Sequence, residues 1–179
     1  MAERIDGKIW INRGVFVVLA YVLIVIDLLP LDMRPSLWAG PDLLLVVTLA
    51  WVARKPNYVP VLVIAAVTLM TDLLFMRPPG LWAALVVILT EAIRRQNREF
   101  RNMPLWVEWA TVTFGIVAIT LVNRLILAVV MAPQAPLSLT LVEMAGTIAI
   151  YPLVLAIAHF VFGVSRTAPG ELGSKGQAL

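Results

Sequence analysis

Long apolar runs alternate with short polar segments along most of the chain. A membrane-spanning helix needs about 20 apolar residues, with a usual range of about 17 to 25. Six runs approach that length, and they cover residues 12–31, 36–53, 58–76, 79–93, 105–132 and 137–163. The pattern predicts an all-α polytopic membrane protein with a six-helix transmembrane bundle. Because the second and fourth runs are short, four spans with two embedded or re-entrant segments stay open as an alternative.

Polar segments flank this predicted membrane domain on both sides. Residues 1–13 carry three basic side chains ahead of the first apolar run and are expected to form a cytoplasmic N-terminus. A single six-helix membrane domain is predicted over residues 12–163. Residues 164–179 are rich in glycine and polar residues, so we expect a flexible cytoplasmic tail there.

The basic residues fall on one side of the predicted membrane. With the N-terminus inside, the cytoplasmic segments contain Arg4, Lys8, Arg13, Arg54, Lys55, Arg94, Arg95, Arg98, Arg101, Arg166 and Lys175. The external loops hold only Arg34 and Arg77. The positive-inside rule therefore predicts a multi-pass protein of the bacterial inner (cytoplasmic) membrane with both termini in the cytoplasm. The four-span alternative would move Arg54 and Lys55 outside, which counts against it.

The composition agrees with a lipid environment. Hydrophobic residues make up 61% of the chain and charged residues 14%, whereas soluble globular proteins have about 45–50% and about 25%. The net charge of +3 comes from basic residues at the ends of apolar runs, so we expect no nucleic-acid partner. With no cysteine and one histidine, the sequence predicts no zinc site, and we expect no cofactor.

Five ionisable residues fall in the outer half of the predicted bundle and form a predicted intramembrane charge network. They are Asp27, Asp42, Asp72, Arg124 and Glu143. Such groups usually pair or face the bundle interior, because a charge at the bilayer centre costs about 2.5–3.5 kcal/mol. A turn near residue 134 brings Arg124 level with Glu143 and predicts an ion pair between them, with Asp72 and Asp27 as the next candidate partners. The network is either a polar cavity open to the outside or a set of interhelical bonds that fixes helix register.

Two other surfaces are candidates for contacts with partners. The basic face of Arg94, Arg95, Arg98 and Arg101 follows the fourth run and predicts an anchor on anionic lipids, with docking of a cytoplasmic partner as the alternative. Small residues at helical spacing predict surfaces for a partner helix, because they let backbones approach closely. These residues are Ala145 with Ala149, and Thr111 with Gly115. No nucleophile, base and oxyanion arrangement is visible in the sequence, so we expect no enzyme activity.

Three short motifs occur in a fixed order along the chain. They are Pro41-Asp42-Leu43-Leu44-Leu45, Asp72-Leu73-Leu74, and Pro79-Gly80-Leu81 with Ala83 and Ala84. With the Arg-rich segment after the fourth run, they make residues 12 to about 163 resemble MreD, the small membrane subunit of the bacterial rod-shape elongation machinery. Asp42 and Asp72 are the acidic residues of the family's motifs. The family often has glycines before the second motif, whereas residues 63–71 contain none here.

The resemblance implies a fold similar to the vitamin-binding subunits of energy-coupling-factor transporters. It also implies a non-catalytic role in lateral peptidoglycan synthesis and rod shape. The implied partners are MreC, the RodA glycosyltransferase with its partner transpeptidase, and the MreB filament. A competing hypothesis is a solute-binding membrane subunit of a transporter. Those subunits share an A-x-x-x-A surface on their first helix, whereas the first run here contains only Ala20.

Overall fold

The computed structural model describes residues 2–29, 39–100 and 104–162, and it describes side chains there except for 2–6, 8, 97–100 and 159–162. The predicted tail, residues 164–179, lies outside the described part. The regular structure of the described residues is helical. The helices are α1 (Ala2–Leu28), α2 (Leu43–Arg54), α3 (Val61–Leu74), α4 (Leu81–Phe100), α5 (Leu105–Val129) and α6 (Leu137–Phe162), with a short 3₁₀ helix at Pro56–Tyr58.

Within the described residues, three helices have the length and composition needed to cross a membrane. They are Ile9–Leu28 within α1, Leu105–Val129 as the whole of α5, and Leu137–Ala158 within α6. In an apolar 18-residue window of each stretch, only 17%, 22% and 22% of the residues are buried inside the protein, so most of their apolar side chains need an apolar surrounding. The prediction of a helical protein with membrane character is confirmed at this level.

Helices α2 and α3 are apolar but short. They contain 12 and 14 residues, which corresponds to about 18 and 21 Å at the rise of an α-helix. Both lengths are below the roughly 30 Å of a hydrocarbon core. The apolar run at 36–53 therefore overestimated α2, which begins only at Leu43. The run at 58–76 overestimated α3, because residues 58–60 before the helix and 75–76 after it extended the apolar pattern.

Helix α2 lies at the centre of the bundle. Its residues are buried continuously from Leu44 to Ala53, as expected for a helix that is apolar on every face. It packs on α4 and α6, and the ring of Trp51 contacts that of Phe16 in α1 at a centroid distance of 5.6 Å. This short helix is therefore the core around which the longer helices assemble.

The helices run alternately between two ends of the bundle. At one end, which we call the basic end, Arg13 and Arg94 donate hydrogen bonds to carbonyl groups of the connection between α2 and α3. Arg54, at the end of α2, reaches Glu108 at the start of α5. At the opposite end, which we call the acidic end, α1 finishes near the start of α2 and of α6, so that Asp27, Asp42 and Glu143 border one cavity.

Helices α4 and α5 approach each other closely at Gly115. This glycine is buried, and a Cβ atom added to it would collide with the side chain of Leu89 in α4. The prediction that Thr111 and Gly115 offer a surface to a partner helix is therefore corrected, because Gly115 serves an internal contact. Ala145 and Ala149 are exposed on α6, and their use as a partner surface stays a prediction.

Candidate functional site

Two cavities with shared walls lie at the acidic end, with volumes of about 330 and 310 Å³. Asp42, Arg77 and Glu143 line both of them. Arg124 lines the first cavity and Asp27 the second. The structure thus brings four of the five residues of the predicted charge network to one site.

Asp42 starts helix α2 and joins it to α6. Its Oδ1 accepts a hydrogen bond from the backbone N–H of Leu45 at 2.8 Å, the N-cap bond that short acidic side chains favour. Its own backbone N–H donates to Oγ1 of Thr147 at 2.9 Å. The Thr147 hydroxyl donates in turn to the Glu143 carbonyl at 2.7 Å. The first motif aspartate therefore has a defined structural role at the edge of the cavities.

Asp72 has a capping role in the next pair of helices. It is fully buried at the end of α3, and its Oδ2 accepts from the backbone N–H groups of Gly80 at 3.0 Å and Ala83 at 3.1 Å. These groups belong to the first turn of α4, where backbone donors lack partners within the helix. Gly80 has a φ of +87°, a conformation that favours glycine. The second and third motifs thus build one α3–α4 connection.

Arg124 does not pair with Glu143 as the sequence had predicted. Within the described residues, its Nη1 donates to Oγ1 of Thr140 at 2.6 Å and to the carbonyl of Ala135 at 3.1 Å. The non-helical connection that follows α5 brings Arg124 against the first turn of α6, one turn before Glu143. Both charged side chains line the same cavity, but the arginine is bound by neutral acceptors.

Arg77 is the cation at this site that sequence reasoning missed. It was assigned only to an external loop, yet it lines both cavities beside Asp42 and Glu143. Its guanidinium lies over the Phe75 ring at 5.3 Å from the centroid, a favourable cation–π distance. Its position just beyond α3, at the same end as the carboxylates, was the available signal. The site therefore combines carboxylates and guanidinium groups around open space, a set that suits a small polar or zwitterionic solute.

The basic end is organised around a buried carboxylate. Glu108 is only 1% exposed, and its Oε1 accepts hydrogen bonds from Nε of Arg54 at 3.2 Å and from the hydroxyl of Tyr151 at 3.1 Å. A buried carboxylate requires such compensation. The sequence analysis missed this cluster, although a glutamate inside the apolar fifth run was the signal.

Arg94 corrects the picture of a basic face that serves only as a lipid anchor. Its two terminal nitrogens donate to the carbonyls of Pro56 and Val59 at 2.7 Å each, and its Nε lies 3.3 Å from Glu91. Arg94 therefore stabilises the α2–α3 connection by hydrogen bonds to its backbone. Arg95 is exposed and lies 3.9 Å from Glu91. The side chains of Arg98 and Arg101 lie outside the described part of the structure.

A proline inside α6 is compensated by a tryptophan from α5. Pro152 has no N–H group, so the carbonyl of Ile148 loses its usual partner within the helix. The indole Nε1 of Trp109 donates to that carbonyl at 3.1 Å. In a membrane, a freed carbonyl must be satisfied by a neighbouring group, and Trp109 does so across the α5–α6 contact.

The chain was also compared with known protein families, characterised proteins and solved structures. None of the three comparisons gives a match.

Proposed function

We propose that this chain is a non-catalytic membrane subunit of the bacterial cell-wall elongation complex, where it binds MreC and helps direct lateral peptidoglycan synthesis and rod shape. The observation that carries the proposal is the fixed order of the three motifs that resemble MreD. Their two aspartates have matched capping roles in the structure, Asp42 on α2 and Asp72 on α4. Such roles give a reason for acidic residues at these places without any catalytic step.

The proposal includes six crossings of the inner membrane, with both termini in the cytoplasm and a fold similar to the vitamin-binding subunits of energy-coupling-factor transporters. The alternating direction of the helices supports an even number of crossings. The arginines gathered at the basic end support a cytoplasmic position for that end. The short helix α2, which is buried from Leu44 to Ala53, completes its crossing through the connections at its ends, inside the protein. Helix α3 packs on α4 and completes its crossing through the connections at its own ends.

The partner surface of this proposal lies on α6. Ala145 and Ala149 are exposed, one helical turn apart, and small residues let a second membrane helix approach closely. The membrane helix of MreC is the proposed occupant. RodA, its partner transpeptidase and the MreB filament belong to the same complex, and anionic lipids surround the basic end.

Copurification from native membranes tests this proposal. Ala149→Leu should reduce the MreC recovered with the chain about tenfold, the effect of roughly 1.4 kcal/mol on binding, and should make rod-shaped cells round. The matched control is Ala66→Leu, an exposed alanine of α3, which should leave both readouts unchanged. Full MreC recovery with Ala149→Leu, at normal levels of the variant, would reject the α6 surface. Absence of MreC from the unaltered preparation would reject the proposed complex.

The cavities at the acidic end favour a second candidate function, solute binding for transport. A space of about 330 Å³ lined by Asp42, Arg77, Arg124 and Glu143 falls within the size range of small-molecule sites. Under the elongation proposal, Glu143→Gln should change cell shape only through the amount of protein. If Glu143→Gln abolishes a growth-supporting solute uptake and Ala149→Leu is silent, the transport function replaces the first proposal.

A further inference from the structure

An apolar groove lies between the first turns of α5 and the second half of α6. Its volume is about 520 Å³, and its lining includes Trp106, Trp109, Pro152, Ala156 and Arg54. This volume falls within the range of ligand-binding clefts. We call it the α5–α6 groove. It is separate from the acidic-end cavities, because the two sets of lining residues have no member in common.

The two walls of the groove are held in place by a hydrogen bond between α5 and α6. Pro152 interrupts the hydrogen bonding of α6 on one wall. On the facing wall, Trp109 bonds to the carbonyl that the proline frees, at 3.1 Å. This bond fixes the indole ring at the edge of the groove and ties the two walls together.

Among the residues that the structure describes, one guanidinium borders this apolar space. Arg54 is among the lining residues, and its Nε is held by buried Glu108 at 3.2 Å. A guanidinium has five N–H donors in a planar fork, so this bond leaves donors for a second acceptor. Arg13 and Arg94 belong to the same end of the bundle, which adds to its positive charge. A ligand that complements the groove has a long apolar part and an anionic head.

We infer that the α5–α6 groove binds one acyl chain of an anionic phospholipid, with the lipid phosphate against Arg54. Tryptophans such as Trp106 and Trp109 favour the depth of lipid head groups, and basic pockets between helices on the cytoplasmic side bind anionic head groups. The inference depends on the membrane placement proposed above, with the basic end in the cytoplasm. It does not depend on MreC.

Tryptophan quenching by brominated lipids tests the inference. The purified chain in phosphatidylcholine nanodiscs is titrated with phosphatidylglycerol or phosphatidylcholine whose acyl chains carry bromine. The groove signal is the part of the quenching that disappears in Ala156→Phe, which fills the groove without adding a fluorophore. Half of the maximal groove quenching should be reached at a mole fraction of brominated phosphatidylglycerol about fivefold below that of brominated phosphatidylcholine, the effect of one basic contact. Equal mole fractions for the two lipids would overturn the inference.

Further variants test whether Arg54 recognises the lipid head group and whether the occupant of the groove is a lipid. Ala66→Phe, at an exposed residue of α3 outside the groove lining, should keep the full preference. The double variant Arg54→Gln with Glu108→Gln removes both charges. It should keep the quenching but make the mole fractions for half-maximal quenching equal for the two lipids.

If the preference for phosphatidylglycerol survives in Ala156→Phe, the lipid binds elsewhere and the inference is wrong. A photoreactive residue at position 106 that links the chain to a protein instead of a lipid in native membranes would also overturn it. These readouts are independent of MreC copurification.

Discussion

The two ends of the bundle hold charged residues in opposite ways. At the basic end, the arginines are bound to specific acceptors: Arg54 to Glu108, and Arg94 to two backbone carbonyls. At the acidic end, Asp42 and Glu143 border open cavities of about 330 and 310 Å³. Arg54 and Arg94 at the basic end are therefore taken up in contacts within the fold, whereas Asp42 and Glu143 at the acidic end also keep surfaces that water or a solute can reach.

The difference has a physical origin in the connections between helices. The α2–α3 connection at the basic end exposes carbonyl groups, and Arg94 satisfies two of them. The connections at the acidic end present unpaired N–H groups at the starts of α2 and α4, which Asp42 and Asp72 satisfy. Cations thus complement exposed carbonyl groups and carboxylates complement helix starts. The backbone groups exposed at each end therefore give one reason why arginines lie at the basic end and carboxylates at the acidic end.

The largest expected effect is at the buried ion pair of the basic end. Glu108→Ala leaves the guanidinium of Arg54 without its carboxylate, and loss of one partner of a buried pair costs about 3–5 kcal/mol. Thermal unfolding of the detergent-solubilised chain measures this loss. Arg124→Gln at the acidic end is the matched comparison and should cost less, about 1.5–3 kcal/mol, because it removes bonds from a charged donor to neutral acceptors and not a buried ion pair. Equal losses in the two variants would contradict the contrast between the ends.

The next effect concerns Trp109 and Pro152. Trp109→Phe removes the donor to the Ile148 carbonyl on the lipid-facing surface of the bundle, and a carbonyl left unsatisfied in an apolar surrounding costs about 1–3 kcal/mol. Pro152→Ala restores an N–H group within α6, so Trp109→Phe should cost less in that background. A double-mutant cycle in unfolding free energy measures the coupling. Additive effects of the two substitutions would show that the indole does not compensate for the proline.

The smallest expected effect concerns the motif aspartate Asp72. Asp72→Ala removes the acceptor for the Gly80 and Ala83 N–H groups, and loss of such a cap costs about 0.5–2 kcal/mol. Asp72→Asn should retain most of the stability, because the cap uses a single oxygen, Oδ2. Unfolding midpoints of the two variants test this order. If Asn is as damaging as Ala, the negative charge matters more than the cap.

The long elements could be predicted well from the sequence. The apolar runs at 105–132 and 137–163 correspond to Leu105–Val129 and Leu137–Phe162, because their apolar pattern continues through a full helix and ends at polar or proline-rich segments. Four residues of the predicted charge network also line the acidic-end cavities. Their common depth in the predicted helices was enough to bring them together, because adjacent helices run in opposite directions.

The specific partners could not be predicted, because they depend on distant residues and on helix rotation. Glu108 and Arg54 lie 54 positions apart, and no local pattern connects them. Arg124 was paired with Glu143 from depth alone, whereas the α5–α6 connection presents Thr140 first. Gly115 looked like a partner surface because helical spacing does not show which face the neighbouring Leu89 occupies.

The most direct test of the account is the side of the membrane on which each end lies. The chain contains no cysteine, so Asn57→Cys and Ala135→Cys each introduce one thiol, at exposed positions of the basic and acidic ends respectively. In intact cells, an impermeant thiol reagent should label position 135 and should label position 57 only after the membrane is opened. Labelling of position 57 in intact cells would contradict the account, because the basic end would then face outward.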